Sequence, residues 1–173
     1  MEFYALEHMV AVELERGAFD EAAALVPRLE ELAAKLRDGS EAPFARAIAS
    51  LIDHARGPAA GAALEGAIER LRAVDAKYRL AFVLTRAALV DIERDDLEVA
   101  FDRAEESLEI AEALERPSET ALALGMLAHV SRALGESEAA ESYLESLRER
   151  GLDQVAAPVR ARLEGWGGLG TIP

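Results

Sequence analysis

The chain has 173 residues, 51% of them apolar, with 33 acidic against 19 basic side chains, no cysteine and a net charge of −14. That length supports one domain with its own core, and the lack of cysteine excludes disulfides and thiolate-based zinc sites. The acidic balance, with no basic segment, argues against nucleic-acid or anionic-membrane binding.

Alanine occurs 36 times against nine aromatics, and alanine favours helices over strands. The chain therefore reads as all-α. Helices are predicted at 2–15, 19–37, 41–55, 59–74, 77–93, 97–114, 118–133 and 137–149, divided by Gly17, Gly39, Gly57-Pro58, Pro117, Gly135 and Gly151. Short connections place sequential helices antiparallel. Ser40 and Asp153 read as N-caps, and Pro43 and Pro117 suit first turns. Pro27 is expected to kink its helix or delay its start. Met1 runs directly into helical sequence without a cap, which reads as a piece of a longer chain. A short helix within 151–164 is expected to cap the array, and 165–173 reads as a flexible tail with Trp166 tucked onto the last helices. No apolar run reaches membrane-spanning length and no secretory leader pattern is present, so a cytoplasmic protein is expected.

The joints recur. Gly17, Gly57, Asp95 and Gly135 are spaced by 40, 38 and 40 residues. Five residues after each stands alanine (Ala22, Ala62, Ala100, Ala140), and seven before stand Val10, Ser50, Ala88 and Ala128. A helix pair too small to bury its apolar face alone, repeated with small residues at its contacts, predicts an α-solenoid of four antiparallel pairs, about 1–38, 39–76, 77–115 and 116–150. Leu64, Ile68 and Leu71 of the second pair lie one residue out of phase with the other copies.

"GAFDEA" (Gly17 to Ala22), with its degenerate copies "DDLEVA" and "GESEAA", resembles the joint of the tetratricopeptide repeat (TPR). The unit here, about 39 residues, is longer than that family's, and Phe19 gives way to Ala59, Leu97 and Ser137 at the matching positions. The longer, Ala/Leu/Glu-rich unit looks most like the C-terminal repeat regions of large bacterial signalling proteins that carry ATPase, kinase or cyclase modules.

The resemblance implies a concave groove lined by the first helix of each pair. Transferred by the joint alignment, its positions are Tyr4, Glu7, Ala11 and Leu14; Phe44, Ala47, Leu51 and His54; Phe82, Thr85, Leu89 and Ile92; and Leu122, Gly125, His129 and Arg132. The recurring apolar residue at Tyr4, Phe44, Phe82 and Leu122 suggests a groove for an apolar helix or peptide. The same residues also suit packing between pairs. The lysine and asparagine with which some family members clamp peptide carboxylates are missing here.

Other motifs carry little chemistry. "GWGGLG" (Gly165 to Gly170) matches a dinucleotide fingerprint in letters only, since a helix precedes it and the sequence stops three residues later. "GESEA" around Ser137 lacks the strand-to-helix turn of a nucleophile elbow. The acidic run Asp91 to Glu109 has no glycine turn for calcium and reads as a solvated acidic face. His8, His54 and His129 hold unrelated repeat positions, so no metal site is expected. These readings favour a non-catalytic module with no cofactor that binds a protein or peptide segment. The alternatives are a self-association unit forming a homo-oligomer and a peptide or small-ligand sensor.

Overall fold

The computed structural model describes residues 2–36 and 39–166. All its regular structure is helical, in nine α-helices and one 3₁₀ turn among the described residues: α1 (Glu2–Glu15), α2 (Phe19–Ala33), α3 (Glu41–Arg56), the 3₁₀ turn Pro58–Ala60, α4 (Gly61–Ala73), α5 (Lys77–Glu93), α6 (Leu97–Ala113), α7 (Pro117–Ala133), α8 (Ser137–Arg150) and α9 (Ala157–Gly165). No described helix is long and apolar enough to cross a membrane. The tail reading for 165–173 lies outside the described residues from Gly167 onward.

The chain divides within α5 into two units, residues 1–87 and 88–173. In the first unit α1 packs on α2, α2 on α3 and α3 on α4. Phe3, Val10, Leu14, Leu29, Ile48, Leu51, Ile52, Leu64, Ile68 and Leu71 are buried there. In the second unit α7 is the central helix, packed by α6, α8 and α9. Every residue from Thr120 to Ala128 is buried. One cluster joins Leu124 and Ala128 to Leu144, Leu147, Val155 and Leu163; another joins Leu122, Ala123, Met126 and Leu127 to Ala88 and Ala104.

Five joints share one backbone solution. Gly17, Asp75, Asp95, Glu115 and Gly135 have φ of 71°, 51°, 63°, 51° and 84°. In each, the next residue's N–H donates to the carbonyl five residues back: Ala18 to Glu13, Ala76 to Leu71, Asp96 to Asp91, Arg116 to Ala111 and Glu136 to Ser131, at 2.8–3.2 Å. A companion bond runs from the left-handed residue to the carbonyl three back. This arrangement closes a helix by satisfying carbonyls its last turn leaves open.

The second pair departs from that rule. Gly57 is extended at φ −172°, and its N–H reaches Asp53 and His54. The predicted helix 59–74 is therefore two elements, with the 3₁₀ turn absorbing the phase shift of Leu64, Ile68 and Leu71. Ala22, Ala100 and Ala140 are buried while Ala62 is exposed, so the alanine that recurs in sequence does not recur as a contact in this pair. Two cap readings also change. Asp153 caps nothing, because α9 starts at Ala157 with Ala156 before it. Ser40 does stand at the N-cap position of α3, its carbonyl accepting from Phe44 N–H, but its hydroxyl accepts from Arg79 Nη1 at 2.6 Å and makes no capping bond. Pro27 lies inside α2, which neither starts later nor ends there.

L-residues in the left-handed region carry strain that glycine avoids. Glu115→Gly should therefore raise stability by about 0.5–1 kcal/mol, and Gly135→Ala should lower it by about 1 kcal/mol. No atom lies near an added Cβ at Gly135, so the cost there is conformational. The midpoint of urea unfolding, at constant m-value, reads both effects.

Candidate functional site

Several residues expected to line the groove meet in the first unit. Arg79, on α5, reaches α1 with two bonds to Glu7 (Nε to Oε1 and Nη2 to Oε2, both 2.9 Å) and lies 3.4 Å from Glu41 Oε1 at the start of α3. Its guanidinium carbon sits 5.2 Å from the Phe44 ring centre and 5.5 Å from that of Phe3. The Tyr4 hydroxyl donates to Glu41 Oε1 at 3.2 Å. Farther along, Phe82 meets Phe44 edge-on at 6.2 Å, Arg86 lies 4.2 Å over Phe82, and Arg86 Nη2 bonds Glu15 at 2.8 Å. Two arginines of α5 thus tie back to α1, Arg79 beside Phe44 of α3 and Phe3 of α1, and Arg86 over Phe82 of α5 itself.

Arg79 is only 9% exposed. Burial opposes its charge, but the bonds and charges of Glu7 and Glu41 outweigh that and raise its pKa. Burial likewise works against the Glu41 carboxylate, yet its own backbone N–H, Arg79 and Tyr4 hold it below the ordinary value. With its donors engaged by two carboxylates and a serine, Arg79 is a brace, not an anion receptor. The accessible part of the cluster is a ledge of Tyr4, 56% exposed, and the half-buried Phe82; beneath it Glu7 and Glu41 are largely buried and taken up by Arg79, while the more open Glu15 pairs with Arg86.

Other expected groove residues lie inside. Phe44, Leu51, His54 and Thr85 are buried, and the Thr85 hydroxyl donates to Ala81 O at 2.7 Å within its own helix. In the second unit, half-buried Leu89 and Ile92 pack on the cluster formed by Leu122, Met126 and Leu127. On α7 the stripe positions Gly125 and His129 meet α9. His129 stacks on Trp166 at 5.4 Å and 25°, and a Cβ on Gly125 would lie 2.1 Å from Leu163 Cδ2. Arg132 stays exposed. The stripe is therefore largely a surface on which first helices pack against one another, with α9 serving as the last such helix. Burial, then the neighbouring Arg132, lowers the His129 pKa.

The acidic run is not uniformly solvated. Asp91 is buried at 1% and paired with buried Arg103. Neither partner was singled out from sequence, because an arginine within an acidic helix gives no sign of which way it faces. Among the described residues no group of three His, Cys, Asp or Glu side chains could hold a metal ion. Compared with known proteins, the chain matches no family model and no curated sequence.

Arg79→Ala should cost about 3 kcal/mol at neutral pH, because it strands carboxylates in a half-buried setting. Since the folded-state pKa of Glu41 is lowered, its contribution is present above the ordinary 4.5 and disappears as the pH falls through the folded value. The deficit of Arg79→Ala relative to the parent should accordingly shrink in acid, as read by urea unfolding at several pH values. At the other end, Gly125→Val should displace Leu163 and undock α9. Trp166, the sole tryptophan, should then emit at longer wavelength with little loss of far-UV helical signal.

Proposed function

We propose that the chain is a non-catalytic protein-interaction module of tetratricopeptide type, which holds a segment of another protein against the ledge of Tyr4 and Phe82. The observation that carries this reading is the ledge itself, where exposed Tyr4 and half-buried Phe82 sit on a frame of carboxylates that Arg79 and Arg86 hold in place. Rigid aromatics in a desolvating setting are the usual anchors of an interface, and the chain's net charge of −14 favours a segment that alternates apolar and basic residues. The recurring joints and helix pairs support kinship with the TPR class, whose repeats serve as scaffolds of this kind, and a place beside bacterial signalling modules is consistent with it.

The test is affinity capture with the full chain, followed by binding measurements on the recovered partner. Tyr4→Ala with Phe82→Ser should weaken binding at least about tenfold, in the range of two interface anchors, while far-UV circular dichroism stays helical. Binding that survives both substitutions would place the interface elsewhere.

A further inference from the structure

Where α6 ends and α7 begins, the second unit carries an open cleft of about 550 Å³. One wall comes from the α6–α7 joint, residues 112–121, and the other from the connection between α8 and α9, residues 150–155. These walls are fixed. Val155 is buried in one cluster with Ala121, Leu144 and Leu147. Ala156 N–H donates to the Ser118 hydroxyl at 2.9 Å, which pins the connection to the first turn of α7. A volume of this size is that of a small-molecule site, and preformed walls lower the ordering cost of binding.

Charges of both signs line the cleft, but its two arginines are already matched. Arg116 Nη2 bonds Glu119 at 3.1 Å, and Arg150 Nη2 bonds Glu112 at 2.5 Å. Glu119 also supplies, within the first turn of α7, the negative charge that a helix N-terminus favours. The carboxylates of Glu115 and Asp153 are left over: among the described residues neither makes a hydrogen bond or an ion pair. A further polar group lies deeper. Thr120 lines the cleft at 4% exposed, and its hydroxyl has no partner among the described residues. The buried Thr85, by contrast, is satisfied within its own helix. A buried hydroxyl without a partner costs free energy that a ligand in the cleft would recover. Ala121 and Val155, both buried, give the cleft an apolar floor.

We infer that this cleft binds an organic cation, a primary ammonium or guanidinium group on an alkyl stem. The unused groups are mainly acceptors, so the ligand must bring donors: its N–H groups donate to the carboxylates of Glu115 and Asp153 and to the Thr120 hydroxyl. The stem lies on Ala121 and Val155. The chain's net charge of −14 draws such a ligand in. A free polyamine offers this chemistry, and so does the lysine or arginine side chain of a peptide.

The test is an NMR titration of the full chain's backbone amides with spermidine and, separately, with Nα-acetyl-lysine amide, each to about 10 mM. Saturable shifts are expected at Arg116, Thr120, Gly151 and Gln154. Glu115→Gln with Asp153→Asn should weaken binding at least about tenfold, as two ion pairs would. Thr120→Val should weaken it about threefold, the loss of one hydrogen bond. Unchanged circular dichroism would show that these variants remain folded. Glu136→Gln with Glu138→Gln removes the same charge beyond the other end of α7 and should change affinity less than about twofold. Absence of saturable shifts would overturn the site, as would equal weakening by the two double substitutions. Inorganic phosphate shifting the same amides more strongly than either amine would also overturn it, by assigning the cleft to anions. Tighter binding of spermidine points to a free polyamine, and tighter binding of the lysine derivative to a peptide side chain; both uphold the cation. These substitutions leave Tyr4 and Phe82 of the first unit untouched, so partner capture there is judged separately.

Discussion

A first helix in this chain has two apolar sides, and no single helix pair can cover both. That constraint organises the molecule. On α7 one side, through Ala123 and Leu127, takes the preceding pair, and the other, through Gly125 and His129, takes α9. On α3 the Phe44 side meets Phe82 of the next first helix. Each contact is between elements close in sequence, so the apolar burial that offsets chain entropy is assembled locally and repeated. The left-handed joints make this repetition possible. By ending five helices with the same pair of backbone bonds, they give each following helix a similar exit direction.

The buried ion pairs add direction to a core that would otherwise be alanine and leucine. Arg79 links three helices of the first unit through Glu7, Ser40 and Glu41, and Arg103 pairs with Asp91 between α5 and α6 of the second. Pairs of this kind contribute modest net stability but penalise a wrong register heavily, because a slip leaves a charge without its partner. Alanine-rich helices pack permissively, so such a penalty has a use here.

Much of this was legible in the sequence, for identifiable reasons. Gly17 and Gly135 announced their joints because glycine is the residue best suited to positive φ. Asp75 and Glu115 occupy the same conformation without that signal. The out-of-phase leucines of the second pair pointed to an irregularity, and the 3₁₀ turn after Gly57 is its physical form. The groove assignment rested on transferring positions from a shorter repeat, and such a transfer does not specify which side of a longer helix meets its neighbour. Leu51 and Thr85 therefore lie in the interior, while Tyr4 and Phe82 keep accessible surface. Arg79 left no trace in the sequence, since its partners stand 72, 39 and 38 positions away.

Native-state hydrogen exchange at the joint residues tests the repeated-joint architecture most directly. The amides of Ala18, Ala76, Asp96, Arg116 and Glu136 lie between helices, yet each donates to a carbonyl five residues back. They should exchange at rates close to those of the flanking helical turns. Ala60, whose contact with Gly57 O is 3.4 Å, should exchange faster than all five. Fast exchange at the five joints, indistinguishable from that at Ala60, would contradict the repeated closure on which the stacking of helix pairs depends.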